Sequence, residues 1–513
     1  MRHQVLKFAA GTFLAAVLLG GVLYQFFGLR VVMDGGGIPR PRFVESSAEQ
    51  AARVERHRAA QRAQNPVPPA SVGAQESASA SASPALPTTV APAGASEANA
   101  SAAASTDPVA STDAGEGGAA RRDAVAAPYW TDFRGPKRDG EYREGPLRLD
   151  WPASGLKPIW KQPSGAGYAS FVIARNRAFT IEQRGPNEVV AAYDVASGRE
   201  LWTNTWPAEF RESMGGDGPR ATPTWADGRL FALGATGELR ALEDASGKVI
   251  WRTNILADSG ADNLPWGMSA APLVVGEAIV VLPGGRSNQS VVAYERATGK
   301  RLWSALGDSQ AYSSPMLVTL LGVPQIIVIS SSRLVGLSAD GSKELWDYAW
   351  PVMNGINATQ PIVISDNRLF LSSGYGAGAA VIELSKANDR FAVREVWKNS
   401  RMKNRFASSV LHEGIVYGLD ESILAAVDVN TGELKWKGGR YGYGQLLLVG
   451  GRLIVLTEDG DLALVRATPE KHEELARFHV LDGKTWNVPA IAGGYLLVRN
   501  LAEMAAFDLR TSR

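Results

Sequence analysis

Hydrophobic and polar positions along this chain fall into three regimes. From Phe8 to Leu29 the apolar pattern is unbroken by any charge over 22 residues, more than the roughly 20 a helix needs to cross a bilayer core. The run is long for the apolar region of a leader, and Arg30 follows without a small-residue cleavage pattern. It predicts an uncleaved transmembrane helix, with residues 1–30 as an anchor. Arg2 and Lys7 precede the run and Arg30 follows it, a balance that favours a cytoplasmic N-terminus and an exported remainder.

Across 31–127 the large apolar residues thin out. A short Arg- and Glu-containing patch around Ala51 to Gln64 is the one place there where a helix could form. Beyond Pro66 the chain turns to Ala, Ser, Pro, Thr and Gly, with too little apolar surface to offset the entropy of ordering. The stretch is expected to be a disordered tether, with a root-mean-square span of roughly 50–60 Å that carries the folded part away from the membrane.

From Pro128 to Arg513 the pattern changes to short alternating runs rich in β-branched and aromatic residues, separated by Gly, Asn and Asp. One phrase recurs. It reads "VVAAYDVASGRELW" to Trp202, "LRALEDASGKVIW" to Trp251, "VVAYERATGKRLW" to Trp303, "LVGLSADGSKELW" to Trp346, "VIELSKANDRFAVREVW" to Trp397 and "ILAAVDVNTGELKW" to Trp436. The spacings of 49, 52, 43, 51 and 39 residues match the roughly 40–50 of a four-stranded propeller blade. Each phrase predicts a strand, a turn with an Asp acceptor and a positive-φ Gly, and an outer strand. The indole fills the wedge to the next blade, whose backbone can accept its N–H.

Two further units lack the Trp: a seventh with Phe478 in its place, and an eighth that stops before its outer strand. The missing strand stands at the front as "LKPIWKQP", with Trp160 lying 42 residues before Trp202. Exchange of strands between the ends closes a ring and removes open edges. The expectation is an all-β, eight-bladed β-propeller of four-stranded antiparallel blades, with seven blades as the alternative if the insertion around Ala387 to Val393 misleads the count.

Composition narrows the function. Lys plus Arg number 53 and Asp plus Glu 52, which supplies no field for nucleic acid. Cysteine is absent, so disulfides, thiolate metal sites, thiol nucleophiles and a lipid-accepting Cys are excluded. The five His residues lack ligand spacing; His412 and His472 sit among polar residues, and no metal site is predicted.

The "DxxTGxxxW" hairpins resemble the quinoprotein-type propeller repeat shared by quinone-cofactor alcohol dehydrogenases and the outer-membrane-assembly lipoprotein propeller. The opening "YWTDFRGPKRDG", with "GPRATPT" and "SSGYGAG", is similar to the bacterial pyrroloquinoline-quinone-binding-like propellers. Two functions are implied. One is a membrane-anchored envelope scaffold that binds other envelope proteins, single-pass in the inner membrane, with its propeller in the periplasm or outside the cell. The other is a pyrroloquinoline-quinone-dependent alcohol dehydrogenase with Ca²⁺. The dehydrogenase pattern includes an adjacent Cys pair over the cofactor, and this chain has none. Long inter-blade loops are also missing, so the reading leans away from an enzyme, and no catalytic residue is assigned. Sensing is disfavoured too, since only about seven residues precede the span.

The residues just before each blade's first strand are the candidate channel-mouth set: Tyr168, Arg220, Trp266, Tyr312, Asn357, Arg405, Tyr443 and Trp486. They either close the propeller neck as loop residues or stack on and pair with a planar anion such as a quinone carboxylate. Asp217, Asp262, Asp308 and Glu421 lie on predicted loops without an evident common site.

Overall fold

The computed structural model describes residues 29–33, 35, 38–43, 45–64, 129–152 and 154–511. These residues form eight blade sheets in a ring and one separate hairpin. Blades 1 to 7 span residues 172–207, 224–254, 273–305, 316–349, 362–399, 410–440 and 445–479, each an antiparallel meander of four strands. Blade 8 has three strands from 490–508 and takes its fourth, Trp160–Pro163, from before blade 1, with Ala506 paired to Trp160. The expected closure is present, and the seven-blade alternative is overturned. The insertion in blade 5 only lengthens one hairpin, Gly378–Ala387 with Arg390–Asn399, which turns at Asn388 and Asp389, both at positive φ.

The repeated Trp works between blades. Indole N–H groups of Trp160, Trp202, Trp251, Trp397 and Trp436 donate to Val195, Asp244, Arg296, Val429 and Thr468 carbonyls of the following blade's outer turn, at 2.7–3.0 Å. Trp346 instead donates to Gln325 Oε1 of its own blade at 2.6 Å. The turn glycine of the next blade lies against the ring, as Gly198 does against Trp160 and Gly247 against Trp202. At φ near +70°, and with a Cβ there driven into the indole, no other residue serves as well. Burial of the two central strands of each blade, such as Leu453–Leu456 and Leu462–Val465, holds the rest.

The charge-free run from Phe8 lies outside the described residues except for its last position, as do residues 65–127. Among the described residues no helix is long and apolar enough to cross a membrane. The described part of the stretch from 31 onward is ordered. Leu29–Met33 (β1) and Pro39–Phe43 (β2) form an antiparallel hairpin, and Ser47–Gln64 (α1) is a helix of 18 residues. Its start is a capping box: Ser46 Oγ accepts the Glu49 N–H and Glu49 accepts the Ser46 N–H.

Helix α1 is docked on the seam where the ring closes. Arg58 is wholly buried; it donates to Gln162 Oε1 at 2.8 Å and the Pro163 carbonyl at 3.0 Å and pairs with Glu200 at 3.3 Å. Gln162 and Pro163 belong to blade 8 and Glu200 to blade 1. Gln50 and Arg53 add bonds to the carbonyls of Ser164 and Ala502. The helix thus belongs to the same folded body as the blades.

Candidate functional site

Inner strands of a propeller line its axis, and the segments that lead into them crowd around one end. Residues from all eight blades meet there around a cavity of about 380 Å³: Tyr168, Arg220, Trp266 with Ser269, Tyr312 with Ser314, Ile356 with Ala358, Arg405 with Phe406, Gln445, and Trp486 with Val488. Contribution from every blade places this chamber on the ring axis.

Six of the eight residues singled out above, Tyr168, Arg220, Trp266, Tyr312, Arg405 and Trp486, line this chamber. Asn357 does not. Its amide is buried and donates to the Ser330 and Trp350 carbonyls, while its Oδ1 accepts the Ser373 hydroxyl at 2.7 Å. It fixes the loop that presents its neighbours Ile356 and Ala358. Tyr443 stands at the rim, its hydroxyl 3.3 Å from Glu421.

The walls are aromatic. Tyr168 stacks on Trp486 with centroids 5.2 Å apart, Phe406 lies 4.6 Å from Trp486, and Trp266 meets Tyr312 edge-on at 5.7 Å. Burial pushes the Tyr312 hydroxyl up to about 12 and the Tyr168 hydroxyl higher still, so both stay neutral donors at physiological pH. Arg220 lies over the Phe210 and Tyr168 rings and donates to the Gly216 and Gly218 carbonyls. Burial draws its pKa downward, against the opposing fields of Tyr168 and Glu212. Arg405 sits between Tyr375 and Tyr443, 5.2 Å from each ring, and pairs with Glu421 at 2.7 Å.

The floor comes from residues 129–142, the opening motif of the domain. The segment enters beside blade 1, where Trp130 bridges Ile173, and leaves as a strand, Glu141–Tyr142, parallel to the first strand of blade 7. Between them Phe133 closes the chamber from below. Arg138 donates to the carbonyls of Ala271, Pro272 and Pro315 and to Thr224 Oγ1, and pairs with Asp132 at 3.0 Å. Arg134 donates to the carbonyls of Ser409 and Leu446. The acceptors on blades 2, 3, 4 and 6 follow the rim residues by three to six positions and lie at or just before the start of each first strand. Arg134 and Arg138 both hold positive φ, a conformation kept only where the surroundings over-determine it.

The mouth is covered by the β1–β2 hairpin. Met33 and Gly35 line the chamber. The Gly35 N–H donates to Glu458 Oε1 at 2.7 Å, Arg405 donates to the Gly35 carbonyl at 2.9 Å, and Lys484 reaches the Met33 carbonyl at 3.5 Å.

Four features of this site escaped the sequence reading: Phe133, Gln445, Tyr375 and the hairpin. Phe133 carried a signal, since its motif holds two Arg residues and two Gly residues without repeat periodicity. Gln445 carried none beyond being the polar start of an apolar strand. It is buried, donates to the Phe406 carbonyl, and leaves its Oε1 without a partner at the chamber wall.

Chemistry follows from what the lining holds. None of the described residues lining the chamber is Asp, Glu or His, and no group of three or more His, Cys, Asp or Glu among the described residues converges on one point. The four loop carboxylates stay apart: Asp308 pairs with Arg333 at 2.7 Å, Asp217 accepts the Glu212 N–H, Glu421 pairs with Arg405, and Asp262 is exposed. His472 is bonded to Tyr441 at 2.8 Å, and His412 faces Glu413. A pyrroloquinoline quinone with Ca²⁺ needs carboxylate oxygens on the metal and a carboxylate base. The aromatic walls and the two Arg residues suit the planar anion. The metal, however, would find among the described lining residues only neutral oxygens, such as Gln445 Oε1, the Asn354 amide and the Ser269 and Ser314 hydroxyls, since Glu421 and Glu458 are engaged by Arg405 and Trp486. The cofactor and its metal do not fit together here.

Residues 186–438 match the family model described as outer membrane protein assembly factor BamB. The Bordetella pertussis protein of that name is 24% identical over 374 residues, 64% of this chain and 92% of the relative. A 1-butanol dehydrogenase (cytochrome c) of Thauera butanivorans is 28% identical over 170 residues, 33% of this chain and 22% of the relative. In three dimensions the quinohemoprotein alcohol dehydrogenase of Comamonas testosteroni superposes with a TM-score of 0.54 at 13% identity, over 76% of this chain and 82% of that one. That likeness is one of fold.

Proposed function

Because the chain is a member of the pyrroloquinoline-quinone-like propeller superfamily, we propose that it is an envelope scaffold which binds other proteins of outer-membrane assembly, as the assembly factors it resembles are named for. In this reading the charge-free run beginning at Phe8 holds it in the inner membrane and the propeller lies in the periplasm. The observation that carries the reading is the axial chamber. It keeps the aromatic and cationic wall of a ligand site but has no lining carboxylate among the described residues, and it is covered at both ends by the chain itself. Around its mouth two large apolar side chains are exposed, Met214 at 46% and Met353 at 64%, on the face that a partner would meet first.

Photocrosslinkers at 214 and 353 in the native envelope are expected to trap a component of outer-membrane assembly, and crosslinkers on the outer strands, at 250 and 302, are not. Titration of the full-length protein with pyrroloquinoline quinone and Ca²⁺ is expected to leave its melting temperature unmoved. A saturable rise, with reduction of an artificial acceptor by an alcohol, overturns the scaffold in favour of a quinone-dependent oxidoreductase.

A further inference from the structure

We propose that the mouth of the chamber is a recognition site for a glycine-bearing backbone turn, held in cis by Met33 and Gly35 and yielded to a partner that presents a β-hairpin with glycine at its turn. The proposal rests on the scaffold reading and names the chemistry of its partner.

Three polar side chains of the rim meet backbone of the hairpin. Glu458 takes the Gly35 N–H, Arg405 the Gly35 carbonyl, and Lys484 the Met33 carbonyl. Such bonds read chain direction and a turn, and they are indifferent to side chains. Among the described residues, side-chain identity is read at Gly35. A Cβ built on Gly35 falls inside the Tyr443 side chain, at its Cβ and the near edge of the ring, which cannot swing aside as a flexible tip would. The site therefore selects glycine.

The receptor is built without help from the hairpin. Glu458 is positioned by the Trp486 indole at 2.9 Å and the Tyr443 N–H at 3.2 Å. Arg405 is fixed by Glu421 and by the flanking rings of Tyr375 and Tyr443. A site with its donors and acceptors already aimed loses little entropy when it is filled.

The occupant in place is held at high effective concentration. Helix α1 follows β2 after three residues and is fixed by buried Arg58, so the turn is presented from a nearby post. Tethering over so short a span gives an effective concentration on the order of millimolar. A free peptide at micromolar concentration then competes poorly, whereas a partner that also grips the exposed Met214 and Met353 side chains competes well.

The test uses full-length protein and a fluorescent synthetic peptide with the sequence of residues 29–43, read by anisotropy. Gly35→Val in the protein should unseat the hairpin and raise the affinity for the peptide at least about 10-fold over the unsubstituted chain. The same peptide carrying Gly35→Val should not bind, and adding Arg405→Gln with Glu458→Gln to the Gly35→Val protein should abolish uptake. Equal binding by both proteins, or by both peptides, overturns the site. A second measurement needs no substitution: millimolar peptide should speed hydrogen exchange at the Gly35 amide of the unsubstituted chain, and unchanged exchange there overturns the proposal. A failed titration beside successful crosslinking from 214 and 353 retires the turn site and leaves the scaffold standing. A successful titration without any crosslink retires the scaffold reading alone.

Discussion

At the floor of the axial chamber two buried guanidiniums reach from one loop to acceptors on blades 2, 3, 4, 6 and 7. At the mouth, a hairpin turn offers the backbone groups of Met33 and Gly35 to side chains of the rim. The floor's donors are sealed from water, so a lost bond leaves a buried acceptor short of a partner, and that desolvation is the larger part of what a buried hydrogen bond is worth. The roof's groups can turn to solvent when they part. One closure is a keystone that spans the ring, and the other is a cover that can leave without disturbing it.

Arg138→Ala tests the keystone and should have the largest effect. It strips partners from three carbonyls and leaves Asp132 without its buried cation, a loss on the order of 3–5 kcal/mol. Denaturant unfolding of the full-length protein measures it, and a loss below about 1 kcal/mol would mean that the floor is filler. Arg58→Ala comes next. Without its guanidinium, α1 retains the bonds of Gln50 and Arg53 but loses its only buried charged group, at a local cost of about 2–3 kcal/mol. Exchange at 47–64 should accelerate while the blades remain protected, which separates the post from the ring.

The seam under that post also sets a pH response. Burial works to raise the carboxyl of Glu182, but Arg184, Arg499 and Arg58 overcome it and hold the group down to about 2. A carboxylate depressed in the folded state stabilises fully above the unfolded value near 4.5 and loses that contribution as the pH falls toward 2. The expected loss is on the order of 2–3 kcal/mol, and Glu182→Gln should flatten this acid limb. An unchanged limb would assign acid sensitivity elsewhere.

Much of the ring was legible because its determinants repeat. A Trp recurring every 39 to 52 residues, with a turn glycine in five of the six phrases, marks six outer hairpins, and a last unit short by one strand announced where the first would go. The rim was legible for a related reason: the residue before each inner strand is bulky and polar, and closure brings eight such positions together. Asn357 shows the limit, since its place in the repeat matches the others while its amide turns inward to loop carbonyls. Helix α1 was legible as a helix but not as a docked one. Apolar periodicity reveals docking when the buried face is apolar, and here that face is Val54 with Arg58, a charge whose partners lie about 100 and 140 residues away. The floor motif hid similarly, because a loop that satisfies carbonyls with Arg side chains has no hydrophobic pattern to read.

The smallest expected effect is the sharpest probe of the difference between floor and roof. Gly35→Ala adds one methyl group, and that group collides with Tyr443, so the turn must lift. If the roof is a cover, lifting it exposes bonds that water replaces, and global stability should change by less than about 0.5 kcal/mol. Exchange at the Gly35 position should meanwhile rise steeply, and quenching of Trp486 by a small neutral solute should increase as the mouth opens. If instead the hairpin belongs to the core as the floor does, the same methyl should lower the unfolding free energy by more than about 1 kcal/mol, with no change confined to the mouth. Both readings use one substitution and two measurements, and they disagree about which measurement moves.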